Sequence, residues 1–175
     1  MGIRIKYGEK LSSEAAKKVV DELYQKVAQR WEDRVNRTPF MTGLKAGKLP
    51  RKVLQTFFRN WGAYTIEINT LAACSYQRHL TFFKTHRELM APLGEKIVDE
   101  FIHPEPPGHF LVMLQTARAL GLTEEEVFDR PMVSEFRAKI DFMRGVLSEG
   151  TAAEWYGSIT TEEQIGHWSA ACYKR

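Results

Sequence analysis

The apolar positions of this chain recur at three and four residue steps almost from end to end, which is the period of an amphipathic helix. Val20, Leu23, Tyr24, Val27, Trp31 and Val35 form a first such series, with Ser12 or Ser13 ahead of it as N-cap. The stretch NRTPFMTGLKAGKLP follows, punctuated by Pro39, Gly43, Gly47 and Pro50, and reads as a loop. A long helix is expected from about Pro50 to Gln77, with Pro50 as its first helical residue and Leu54, Phe57, Trp61, Tyr64, Ile68 and Leu71 on its main stripe. Thr123 and Glu126 form a capping box for a short turn. A helix over about Val133 to Leu147 turns Phe136, Ile140, Met143 and Leu147 inward, and Gly150 closes it. A last helix starts near Thr151, with Ala152, Tyr156, Ile159 and Glu163 on one face and His167 a turn further on. No alternation of strand length is visible, so the fold class is all-α, in a single domain over 1–175.

The chemistry concentrates where this pattern is interrupted. In Ile97–Leu122, a helix is broken by the prolines and glycine of HPEPPG and a second helix follows. At 100° per residue, Glu100 lies roughly 20° from Leu93 on the Met90, Leu93, Ile97, Phe101 stripe, and His109 lies roughly 40° from Met113. A carboxylate and an imidazole are thus both directed inward. A buried carboxylate needs a partner, which a basic side chain, a metal ion or a cationic substrate can supply. Glu163 and His167 stand four residues apart on one helix face, a spacing that offers two ligands to one metal or merely pairs two side chains. Carboxylate with imidazole is the ligand mixture of iron or manganese. On the long helix Asn60, Glu67 and Cys74 recur every seven residues beside Trp61 and Tyr64, as a pocket wall or a plain boundary between core and solvent.

Composition narrows the function classes. The 175 residues are 43% hydrophobic and 27% charged, ordinary values for one folded domain. A net charge of +3 with scattered basic residues gives no nucleic-acid footprint. No apolar run approaches a membrane span, and MGIRIKYGEKLSSE is too polar for a secretory signal, so the expected location is cytoplasmic, away from membranes. Cys74 and Cys172 are not in a CxxC pair and offer no zinc signature. No internal repeat, phosphate-binding glycine loop or GxSxG elbow is present, which removes the Rossmann, P-loop and hydrolase readings.

The stretches TPFMTGLKAGKLPRKVLQTFFRNWGAYTIEI, HFLVMLQTARALGLTEEEV and AAEWYGSITTEEQIGHW together resemble the superfamily with the haem-oxygenase-like helical fold, over roughly residues 15 to 175. Its relatives include thiaminase II, pyrroloquinoline quinone synthase and the haem-oxygenase-like di-iron oxidases, and the chain looks most like the last of these. The resemblance implies a small-molecule oxidase that uses dioxygen and two ferrous ions. His109 matches the family histidine, Glu100 the family glutamate with Glu105 or His103 as alternatives, and Glu163, or else Glu162, the next ligand. His167 resembles a substrate-contacting histidine of the quinone synthase branch. The substrate would lie against Asn60 and Trp61, with Tyr64, Glu67 and His167 in catalytic roles and Arg59 or Glu67 meeting a charged end. The quinone synthase branch uses dioxygen without metal. A thiaminase II-like pyrimidine hydrolase would need Cys74 or Cys172 with Glu67, and a helical scaffold without chemistry is a further alternative. The chain stops at Arg175, before the segment that carries the family's last ligands. The expectation is therefore a longer protein whose last helix orders on binding metal, with a shortened family member carrying an incomplete site as the alternative. The partner expected is a small molecule, and a homodimer is left open.

Overall fold

The computed structural model describes residues 10–101 and 108–159, except the side chains of Leu93, Lys96, Asp99, Phe101 and His109. Every regular element among the described residues is helical, and no strand occurs there. The described residues divide into two compact units, one with residues 10–49 and Ile159 and the other with residues 50–101 and 108–158.

In the first unit, α1 (Ser13–Trp31) is capped by Ser12, whose hydroxyl accepts from the Ala15 N–H. It runs into a π-helical turn over Glu32–Asn36. Glu32 accepts from Asn36 and from Arg37 across this turn, and Lys45 donates to Asn36 Oδ1, the side-chain amide oxygen. The expected loop after this turn contains a helix, α2 (Pro39–Lys45). Thr38 caps it and Pro39 occupies its first turn, where a missing N–H costs nothing. The glycines and prolines around α2 mask a start signal of only two residues. Gly47, at φ +64, supplies the left-handed turn that follows.

The second unit is built around α3 (Arg51–Arg78), against which α5 (Met90–Phe101), α6 (Gly108–Ala119), α7 (Glu124–Phe128) and α8 (Ser134–Glu149) all pack. Pro50 is the N-cap of α3 rather than its first residue. A short α4 (Leu80–Thr85) and a 3₁₀ turn at Arg87–Leu89 link α3 to α5, and α9 covers residues 152–159. Being surrounded changes which face of α3 is buried. The sequence stripe is only half-buried apart from Tyr64, and Trp61 is 38% exposed. The buried residues are Asn60, Gly62, Ala63, Tyr64, Thr65, Asn69, Ala72 and Ser75, mostly small or polar, which lets helices approach closely. At Gly62 an added Cβ would stand 2.2 Å from Val127 Cγ1 of α7.

The main apolar cluster joins Met113, Ala117, Leu122 and Val127, with Phe58, Phe110 and Phe128 against it. The end of α6 is held to α3 by the Leu120 carbonyl, which accepts from Arg51 Nε at 3.0 Å and Gln55 Nε2 at 2.8 Å. Gly121, at φ +78, makes that ending geometrically accessible, and Leu122 N–H returns to the Ala117 carbonyl. The capping box of α7 forms as expected between Thr123 and Glu126. Ile140, Met143 and Leu147 of α8 are buried, and Gly150 is its C-cap. On α9 the deepest residue is Trp155, fully buried, whereas the expected Tyr156 is half-buried. No helix among the described residues is long and apolar enough to cross a membrane.

Candidate functional site

The residues expected to form a wall on α3 are distributed among different surroundings. Asn60 is buried and engaged at both ends of its amide: Nδ2 donates to the Thr56 carbonyl, and Oδ1 accepts from Val133 N–H, each at 2.8 Å. The second of these bonds fixes the entry to α8. Trp61 stacks on Phe57 with ring centroids 5.4 Å apart, and Tyr64 meets Trp61 and Phe136 at the same separation. Phe136, from α8, closes this aromatic row. Arg59 reaches Glu126 at 2.6 Å.

Glu67 is in a bidentate pair with Arg137, at 2.7 and 2.8 Å, and Arg144 approaches its Oε2 at 3.3 Å. The Arg137 hydrogen bonds hold the Glu67 carboxyl below its ordinary value of 4.5, overcoming the opposing effect of burial. Glu67 thus ties α3 to α8 as an anion, and a carboxylate held in this way is a weak proton acceptor. Its folded value lies below the unfolded one. Its stabilisation is therefore complete above pH 4.5 and is lost as pH falls through the lowered folded value. Acid titration of thermal stability should show a steeper loss for the wild type than for Arg137→Ala, the two curves converging at low pH. Parallel curves would refute the coupling.

Glu100 is half-buried near the end of α5, where its Oε2 accepts from Asn69 Nδ2 of α3 at 3.3 Å. Asn69 is itself 6% exposed. His109 is the second residue of α6, which packs on α5, so the two expected ligands belong to adjoining helix ends. The side chain of His109, the segment with His103 and Glu105, and Glu162, Glu163, His167 and Cys172 lie outside the described residues. Among the described residues no group of three His, Cys, Asp or Glu side chains stands close enough to hold a metal ion. Cys74 is exposed.

Sequence reasoning passed over a second set of polar groups. Ser75 and His79 are buried at the end of α3, and Ser75 Oγ lies 3.0 Å from Tyr156 Oη of α9. Tyr76 stacks on Phe83 at 5.1 Å, Phe83 meets Tyr156 at 5.6 Å, and His79 meets Tyr156 at 6.1 Å. The available signal was the seven-residue step from Asn69 to Tyr76 and from Ala72 to His79, which continues one helix face. That face was hidden because its members are small or polar.

Comparison with known proteins agrees with this all-helical architecture. The model of the TENA/THI-4/PQQC family matches residues 24–170, most of the chain. Comparison with curated proteins and with solved structures gave no match. The matched family lies within the haem-oxygenase-like superfamily of thiaminase II and the quinone synthases, and its members are usually enzymes. The chain belongs to the TENA/THI-4/PQQC family.

Proposed function

We propose that the protein is an oxygen-using oxidase of a small molecule with a non-haem di-iron site to which Glu100, His109 and Glu163 contribute. The observation that supports this most is the Glu100–Asn69 pair. An inward carboxylate, oriented by an amide from the neighbouring helix, is the kind of oxygen donor iron or manganese takes, and the amide is the kind of outer partner that orients it. Glu100 therefore fits the metal, and its place near the end of α5 sets it on the helix that packs against α6, of which His109 is the second residue.

Bound iron would supply the electrons and the oxygen chemistry that the side chains lack. The chain's own residues have simpler tasks in this reading. Asn69 holds the Glu100 carboxylate in one orientation. Trp61, with Tyr64 tilted against it and Phe136 set edge-on to both, offers an aromatic, angled surface for a substrate, and the Glu67–Arg137 bridge keeps α8, which carries Phe136, on α3. Asn60 contributes by holding the start of α8.

A second reading, a metal-free oxygen-using enzyme like the quinone synthases, is favoured by the uncharged aromatic and imidazole groups around Tyr156. A thiaminase II-like reading finds less support, since Cys74 is exposed.

Anaerobic titration with ferrous iron separates these readings. Two equivalents per chain are expected, with a rise in melting temperature that grows with free iron. Glu100→Ala, His109→Ala and Glu163→Ala should each lose bound iron. Equal iron in the wild type and all three variants would overturn the di-iron reading, and oxygen consumption unaffected by a chelator would favour the metal-free one.

A further inference from the structure

Tyr76 and His79 present a hydrogen-bonding problem that the described fold leaves unsolved. Tyr76 Oη and His79 Nε2 are both buried, and neither has a hydrogen-bond partner among the described residues. His79 as a whole is only 6% exposed. An unpaired buried polar group costs on the order of 1–3 kcal/mol, so two on one helix face point to a partner of another kind.

Their surroundings define one place. The two residues are three apart at the end of α3 and so are neighbours on its surface. Tyr76 rests on Phe83, His79 meets Tyr156, and Phe83 and Tyr156 touch each other, so both orphan groups border the same aromatic cluster. Across from Tyr76, α5 carries Gly94. The described atom nearest to where a Cβ on Gly94 would stand is the Tyr76 hydroxyl, 3.9 Å away. A glycine inside a helix costs about 1 kcal/mol relative to alanine, and here no described backbone approaches closely enough to require it.

We propose that Tyr76, His79, Phe83 and Tyr156 form an interior binding site for a small uncharged aromatic molecule that carries a hydroxyl or carbonyl group. The rings supply flat apolar walls, and Tyr76 Oη and His79 Nε2 meet the polar substituent. Burial lowers the proton affinity of His79 and raises that of Tyr76 and Tyr156, so all three groups are neutral at neutral pH and a charged ligand is disfavoured. Asn69 lies two turns before Tyr76 on the same face of α3, about 10 Å along the axis. On the reading of Glu100 as an active-site carboxylate, this site holds the end of the substrate remote from the reacting group. Binding itself does not depend on that reading.

The test uses 4-fluorophenol as probe, followed by fluorine NMR on the iron-free full chain. Saturable binding is expected, weakened about tenfold in Tyr76→Phe, which keeps the ring and loses one hydrogen bond. Gly94→Ala should also weaken it while leaving the melting temperature equal or higher, because a methyl group enters the space without a clash. Fluorobenzene should bind less tightly than 4-fluorophenol to the wild type, and the gap should narrow in Tyr76→Phe, where only His79 Nε2 is left to meet the hydroxyl. No saturable binding, or binding unchanged in both variants with their folds intact, would overturn the proposal and leave internal water as the partner of these groups. Because no iron is present, this result is independent of the iron titration.

Discussion

Gly62→Ala is expected to lower the melting temperature by roughly 5–15 °C, the loss of about 2–4 kcal/mol in a chain of this size. The added Cβ would stand 2.2 Å from Val127 Cγ1 and 2.7 Å from the Val127 carbonyl oxygen, so both a side chain and the backbone of α7 must retreat. Helix propensity acts in the opposite direction, returning about 1 kcal/mol for alanine over glycine. The clash should prevail, because α7 has only five residues and is pinned by its capping box and by the Arg59–Glu126 pair. Val127 is fully buried in the main apolar cluster, which a shift of α7 would open. Gly145→Ala is the matched control: nothing described lies within 4 Å of its Cβ position on α8, so only the propensity gain should appear. A Gly62→Ala protein that melts with the wild type would show that the α3–α7 contact is looser than this geometry requires.

Glu100→Ala is expected to remove iron binding at the proposed centre and lower iron- and oxygen-dependent turnover by about a hundredfold or more, and Asn69→Ala to weaken iron binding by about 10–100-fold. Glu100 would be a direct ligand, whereas Asn69 acts only by orienting it from 3.3 Å. Glu67→Ala supplies the contrast. Its carboxylate is committed to Arg137 and Arg144, so the variant should lose acid-sensitive stability and keep its iron affinity within about twofold. Iron binding by equilibrium dialysis, with melting curves to verify folding, distinguishes the three. If Asn69→Ala binds iron as the wild type does, Glu100 is not positioned by Asn69. If Glu67→Ala loses iron as Glu100→Ala does, the ion pair with Arg137 is not its main role.

Much of the architecture was legible as pattern. The 3.6-residue period located α1, α3, α5, α6 and α8 within a few residues, and Thr123 with Glu126 announced α7, because caps are local chemistry. The helix α2 escaped notice because Thr38–Pro39 is a short signal among glycines and prolines. Within the proposed site, Glu100 was recognisable as a carboxylate on an apolar stripe, but its partner was not. Asn69 comes from another helix 31 residues away, and no local period encodes that meeting.

What the sequence determined by itself is the helical class, the family and the positions of most helix ends, since periodicity and capping depend on residues within one or two turns. Only the tertiary structure decided that the small and polar face of α3 would be the buried one, because four helices pack around it and small side chains let them come close. It also decided that Glu67 would be neutralised by Arg137 and that Tyr76 and His79 would share an interior with Tyr156. Glu67 and Arg137 are 70 positions apart, and the contacts of Tyr156 with His79 and Phe83 likewise join distant parts of the chain; long-range packing of this kind leaves no trace in the spacing of neighbours along the chain.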